Sequence, residues 1–237
     1  MTTRDGCSAV PAVILMSGLP ASGKTTAAMR LHAAQGGTLI RSCDVYRDLG
    51  IVLSEWVERT RRFTVDVDAY DRVRDDAYVE MARRVDLTLA AGAALAIVDA
   101  VHGERDKRSR VYDICRARKA APILVVCCCD DLEEVQRRFG TRRGREREPQ
   151  HEASDLSVFR DISRRWQTPL QDVLRDGTRP TALTYDSLTS RAEIVHGALR
   201  EAVERIRFAL MAPGDQVVPM ALSDADGSDN QRRAKGP

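Results

Sequence analysis

Eight residues near the amino terminus, Gly18-Leu19-Pro20-Ala21-Ser22-Gly23-Lys24-Thr25, follow the pattern G-x-x-x-x-G-K-[ST], and each fixed position has a chemical reason. Gly18 and Gly23 permit backbone geometry that turns successive N–H groups toward a phosphate chain. Lys24 reaches the β- and γ-phosphates, and Thr25 offers a hydroxyl to Mg²⁺. A helix opening at about Lys24 points its positive end at the same anion. The stretch from Gly18 through Thr26 is therefore read as a loop that binds ATP with Mg²⁺. A glycine-rich turn with no ligand is the alternative, and context argues against it. An apolar run at 12–16 precedes the loop and a helical pattern at 25–35 follows it, the strand and helix that such a loop requires.

A phosphate loop does not by itself separate a kinase from a motor, a switch or a chaperone. The second informative stretch is Asp44-Val45-Tyr46-Arg47, just past a short β-like run at 38–41. If a helical turn begins there, Asp44 and Arg47 share one face beside the γ-phosphate site. A kinase needs a carboxylate to accept the proton of the attacking hydroxyl, and a cation to hold an anionic acceptor or stabilise transferring charge. The same spacing also suits an aspartate that caps a short helix next to a solvated arginine. Asp99 ends the apolar run 94–98, where a magnesium-ordering carboxylate would stand, although an aspartate there can equally be a plain strand terminator. His102, in the polar turn that follows, is a candidate for contact with substrate.

These residues need a scaffold, and the remaining pattern supplies one. Val73, Ala77, Met81, Val85 and Leu89 recur every four residues across a helix expected over 70–91, which Gly92 stops. Strands are expected at 94–98, 122–129 and 181–185, with helices at 105–119 and 132–139 between them. The segment 46–68 is mixed, with Trp56 and Phe63 as its large anchors, and reads as a short helix and a substrate-side insertion. Residues 137–149, RRFGTRRGREREP, read as a mobile basic loop. A helix capped by Ser154 or Asp155 should run through Phe159, Ile162 and Trp166 to about Pro169. Ser190-Arg191-Ala192-Glu193 has the form of a capping box opening a last helix, with Ile194, Val195, Ala198, Leu199, Ala202, Val203 and Ile206 inward. Five strands separated by helices predict an α/β fold with a doubly wound parallel sheet. The expected organisation is a flexible arm over 1–10, one kinase-like domain over 11–211 with a lid at about 137–150, and a disordered tail over 212–237.

GLPASGKTT followed some twenty residues later by CDVYR resembles the P-loop kinases that include polynucleotide 5′-hydroxyl kinases, zeta toxins and the seryl-tRNA kinase of the selenocysteine pathway. The resemblance extends over about 12–170 and implies roles that the residues alone do not fix. It makes Asp44 the general base and Arg47 the contact to an acceptor phosphate. It also makes Arg138 and Arg142, four apart, lid arginines that close over the triphosphate, with Arg143 a substitute for Arg142. Where the family often has a polar pair after the Asp99 position, this chain has Ala100-Val101-His102, and the family's usual Glu before Pro169 is absent.

Composition narrows the setting. The 237 residues are 43% hydrophobic with a net charge of +2, ordinary values for one sizeable α/β domain. Of the six cysteines, Cys127, Cys128 and Cys129 are consecutive in a strand-like run and none forms a C-x-x-C pair, so they read as small buried hydrophobes. No apolar stretch reaches membrane-spanning length and no signal-peptide pattern opens the chain, so a cytoplasmic protein without a membrane partner is expected. Aromatics make up only 5% and are scattered, unlike the stacking clusters of RNA readers. The leading expectation is a Mg²⁺-dependent ATP phosphotransferase acting on a hydroxyl of an anionic acceptor: a nucleic-acid 5′ end, an RNA-linked group or a nucleotide-like metabolite. The rivals are an ATP-hydrolysing accessory factor for RNA or protein and a zeta-toxin-like kinase of a sugar nucleotide.

Overall fold

The structure, a computed structural model, describes residues 10–52, 55, 67–144, 156–197 and 199–212. A six-stranded sheet forms its centre, with β1 (Ala12–Ser17), β2 (Thr38–Arg41), β3 (Leu95–Asp99), β4 (Ala121–Cys128), β5 (Thr181–Asp186) and β6 (Arg191–His196) in the order β2-β3-β1-β4-β5-β6. The first five strands are parallel, and β6 joins β5 antiparallel. The unbroken apolar run of β1 is explained by its central place, because a parallel strand is covered on both faces.

The alternation along β1 divides the core in two. Val13 and Leu15 face a cluster with Ala77, Met81 and Val85 of α3 (Val67–Ala90) and with Val111 and Cys115 of α4 (Arg105–Arg118). Ile14 and Met16 face the other cluster, with Ala27, Ala28 and Leu31 of α1 (Lys24–Gln35) and Val203, Ile206 and Leu210 of the last helix, Arg200–Met211. In chain order the remaining helices are α2 (Ser42–Asp48), α5 (Leu132–Gly144) and α6 (Leu156–Arg164), which makes the last helix α7. Val135 and Phe139 of α5 and Val158 and Ile162 of α6 form a smaller third cluster against Ala21 of the phosphate loop, so these two helices share a core of their own that touches the loop.

Three sequence expectations need correction. The stretch expected to open the last helix is instead strand β6, in which Ala192 pairs with Tyr185. Asp186 accounts for the change: its carboxylate accepts from the Leu188 amide (2.9 Å) and the Thr189 hydroxyl (2.7 Å), closing a turn, while Ser190 takes a left-handed φ of 54°. Ile194 and Val195 consequently face outward, and the helix begins only at Arg200. The sheet therefore has six strands with an antiparallel edge rather than five parallel ones. Helix α5 also continues through 137–144, a stretch the sequence pattern reads as loop, because Arg is a good helix former and Glu134 pairs with both Arg137 and Arg138. Lastly, α6 ends at Arg164, short of Trp166. The expectations for 1–9, Trp56, Phe63, the rest of the lid, the Ser154 or Asp155 cap and the tail from 213 onward lie outside the described residues.

Candidate nucleotide-binding site

The loop between β1 and α1 is held by its neighbours on all sides. At the end of β1, Ser17 Oγ donates to the carbonyls of Val101 (3.3 Å) and His102 (3.1 Å), and the Gly18 amide donates to Val101 O (3.1 Å). A Cβ on Gly18 would stand 2.5 Å from Cys127 O and 2.6 Å from Ser22 Oγ. Gly23 caps α1 with a φ of 86°, and a Cβ there would meet Ser187 Cβ at 2.6 Å. Both glycines are thus fixed by close approach.

No side chain caps α1, so the first-turn amides of a twelve-residue helix face the loop, an arrangement that an anion completes. Lys24 is buried along the loop and donates from Nζ to Leu19 O at 2.8 Å. Ser22 Oγ is buried and makes no hydrogen bond among the described residues. Leu19 and Thr25 are half-buried, Pro20 and Ala21 buried, and Thr26 exposed.

From α5, Arg138 reaches directly onto this loop. Its Nη1 donates to Ala21 O (2.9 Å) and Ser187 Oγ (2.8 Å), while its Nε donates to Glu134 (2.7 Å). Arg137 and Arg138 together bring the Glu134 carboxyl down to about 2. Arg142 lies on α5 one turn beyond Arg138, and its side chain is outside the described residues.

Asp44 sits in the first turn of α2, so Asp44 and Arg47 do share a helical face. Arg47 Nη2 donates to Asp44 Oδ1 at 2.5 Å. A second arginine, not singled out in the sequence, grips the same carboxylate: Arg41 donates from Nε to Oδ2 (2.7 Å) and from Nη2 to Oδ1 (2.8 Å). Burial alone would raise the Asp44 carboxyl, but the hydrogen bonds and charges of Arg41 and then Arg47 outweigh it and hold the group below its usual range. The signal for Arg41 was available, since it stands three residues before Asp44 as Arg47 stands three after. Strand β2 is separated from β1 by β3 alone, so the ends of the two strands that lead into α2 and into the loop stand about 10 Å apart, two strand spacings.

Asp99 ends β3, is 4% exposed and is in register with Arg41. Burial drives the Cys127 thiol up to about 12, where the charges of Lys24 and Asp99 both reach it. Cys127 therefore carries a neutral thiol beside the loop, and Cys43 and Cys115 are likewise buried.

His102 does not stand on the substrate surface. It is 1% exposed, its Nδ1 is 2.9 Å from Met16 O, and its ring lies edge-on to Tyr78 at 5.3 Å. Burial brings its pKa down to about 4, so the ring is neutral and part of the core. The sequence also gave no sign of the network beneath it. Arg108 donates from Nε and Nη2 to Asp172 (2.6 and 2.8 Å) and from Nη1 to His102 O (2.8 Å), and the Tyr112 hydroxyl donates to Asp172 (2.9 Å).

A phosphate loop at the carboxyl edge of a mostly parallel sheet, with an arginine from helix α5 bonded to it, defines a P-loop kinase-like nucleotide-binding domain. The chain belongs to the AAA domain family AAA_33, whose model matches residues 13–169. A stretch of 97 residues is 40% identical to a tRNA dimethylallyltransferase of Rhodopseudomonas palustris, covering 38% of this chain and 27% of that protein, so the chain spans about a quarter of this curated relative. Among solved structures, a putative kinase from Chloroflexus aurantiacus has a TM-score of 0.52 at 17% identity, over 84% of this chain and 97% of that one. A gluconokinase from Sinorhizobium meliloti has a TM-score of 0.48 at 15% identity, over 85% and 92% of the two chains. At 17% identity, what the chain shares with the Chloroflexus aurantiacus protein is the fold. No described helix is long and apolar enough to cross a membrane.

Proposed function

We propose that the chain is a Mg²⁺-dependent ATP phosphotransferase whose acceptor is a hydroxyl on an anionic molecule. The observation that carries this reading is the convergence on one sheet edge of the loop with Lys24, the Arg138 lid contact and the Asp44 carboxylate. A hydrolase sets the residue that orients its water against the γ-phosphate itself, whereas a carboxylate past the end of β2, two strand spacings from β1, leaves room for a second substrate between it and the γ-phosphate. In this reading Asp44 takes the proton of the acceptor hydroxyl. The freed oxygen pair bonds to the γ-phosphorus, the bond from that phosphorus to the bridging oxygen breaks, and ADP leaves. Lys24 and Arg138 neutralise the charge that accumulates on the phosphoryl oxygens, with Arg142 in the same role from the next turn. Arg47 holds the anionic part of the acceptor.

The residues fit a magnesium ion of the kind P-loop enzymes use. Such an ion takes few protein ligands and keeps phosphate oxygens and waters, so the Thr25 hydroxyl and the buried Asp99 carboxylate at the strand end suffice, and the buried Ser22 hydroxyl adds an unused polar group at the same loop. When bound, the ion offsets phosphate charge.

Support for an RNA-linked hydroxyl among the acceptor classes comes from the stretch that is 40% identical to a tRNA-modifying enzyme. The deciding experiment supplies γ-labelled ATP with 5′-hydroxyl oligonucleotides, tRNA, sugar nucleotides and small sugars. Label on one acceptor class supports the proposal and names the substrate. Label only in free phosphate, whatever the acceptor, refutes it in favour of an ATP-hydrolysing factor.

A further inference from the structure

The two arginines on Asp44 are not equivalent. Arg41 sits at the end of β2, where its backbone is fixed by the sheet in register with Asp99, and its side chain is 26% exposed. It spans both carboxylate oxygens with two parallel hydrogen bonds, an arrangement that sets the plane as well as the position of the carboxylate. Arg47 is on the helix itself, is 49% exposed, and offers one nitrogen to one oxygen. A rigid, two-point grip and an exposed, single-point contact on the same group perform different tasks.

We infer that Arg41 is the positioning residue for the Asp44 base, and that Arg47 is a replaceable partner which an anionic acceptor draws away, leaving the carboxylate aimed by Arg41 alone. This rests on the phosphotransferase reading for its meaning, but the geometry behind it does not. Arg47 uses one nitrogen on Asp44, and its fork can turn to a phosphate or carboxylate without moving the helix. Arg41 loses both of its bonds at once if it leaves, so it stays. The consequence is a base that strengthens when the acceptor arrives. While both arginines hold it, Asp44 is a poor proton acceptor, and removing one of them returns part of its basicity.

Among the described residues, the other charged groups around α2 do not replace either arginine. Asp99 lies across from Arg41 on β3, and Arg84 of α3 pairs with Asp48, a turn beyond Asp44. Neither supplies a cation to the Asp44 carboxylate.

The test follows the Asp44 carboxyl directly, so that it does not depend on finding the acceptor. The full chain is labelled with ¹³C at the aspartate carboxyls, and the Asp44 signal is assigned by its loss in Asp44→Asn. Its titration is then recorded in the wild type, Arg41→Gln, Arg41→Lys and Arg47→Gln, each with and without inorganic phosphate. The midpoint should rise in both Gln variants. Phosphate should raise it in the wild type and leave it unmoved in Arg47→Gln. Arg41→Lys should keep the charge but lose the two-point grip, recovering much of the midpoint without recovering turnover once an acceptor is known. An Asp44 midpoint that ignores phosphate in the wild type, or that is unchanged in Arg41→Gln, overturns the inference. Failure of the phosphotransferase reading looks different, with the titrations as expected and no acceptor labelled. Melting temperatures recorded alongside identify any variant that fails to fold, and for Arg41 the Lys variant then carries the test.

Discussion

Arg108 and Arg41 each grip an aspartate through Nε and Nη2 in nearly the same geometry, yet the two pairs lie in opposite surroundings. Arg108 and Asp172 are 0% and 3% exposed, and the remaining hydrogen-bonding capacity of the pair is taken up by Tyr112 and by His102 O. Arg41 and Asp44 are 26% and 24% exposed, and the third member, Arg47, opens to solvent. A buried charge pair has no water to fall back on, so each partner is indispensable to the other. A half-exposed pair can exchange partners at little cost to the fold. The difference separates a pair that maintains the structure from one available for chemistry.

That distinction can be broken most sharply by Asp172→Ala. It leaves Arg108 buried without its counter-ion, and a loss of about 3–5 kcal/mol in unfolding free energy is expected by denaturant titration. A loss below 1 kcal/mol would place the Arg108 pair in the same category as the Arg41 pair.

His102 belongs with the buried pair and gives it a pH dependence. Its pKa is depressed from 6.5 to about 4, so the unfolded chain binds the extra proton first. The stability tied to this ring is complete above about pH 6.5 and is lost as pH falls toward 4, on the order of 3 kcal/mol over the window. Thermal melting of the wild type should therefore decline between those values, and His102→Asn should flatten the decline. Equal slopes in the two proteins would show that the ring is not the titrating group.

On the exposed side, Asp44→Asn should reduce kcat by about 10²-fold or more, with nucleotide affinity and unfolding free energy nearly unchanged. Full turnover in that variant would end its assignment as the base. Arg47→Ala is expected to have a smaller effect, chiefly on KM for the acceptor, about tenfold for a phosphorylated acceptor and less for a neutral one. The smallest change should come from truncation after Met211, where neither melting temperature nor turnover is expected to move, and a drop of several degrees would show that the domain extends further.

What could be read from the sequence was mainly local. The loop is contiguous, with its glycines and its lysine within eight residues, so the pattern was sufficient even though the groups that crowd the glycines, Cys127 O and Ser187, lie far along the chain. The parallel strands announced themselves by unbroken apolar runs, because both of their faces are covered. The Ser190–Glu193 stretch misled because a capping box and the start of an edge strand share the same residues. The choice between them is made by Asp186, which lies upstream of the box and folds the chain back on β5. The Arg108–Asp172 pair joins residues 64 apart, and nothing local to either marks it. His102 was read as a turn residue, and only the tertiary structure reveals that Met16, Tyr78 and Arg108 surround it.

The pairing of Arg138 with Glu134, and of Arg41 and Arg47 with Asp44, also shapes the electrostatic field met by an approaching nucleotide. Among the described side chains, the four cations Lys24, Arg41, Arg47 and Arg138 share this edge with the three carboxylates Asp44, Asp99 and Glu134. Seen from more than about 8 Å away at physiological ionic strength, these charges largely cancel. Long-range attraction is weak, and a polyanion gains its contacts only on arrival, by trading places with a resident carboxylate or carbonyl. Association with this edge should accordingly respond little to added salt, and discrimination between ligands should reside in the rate at which they leave.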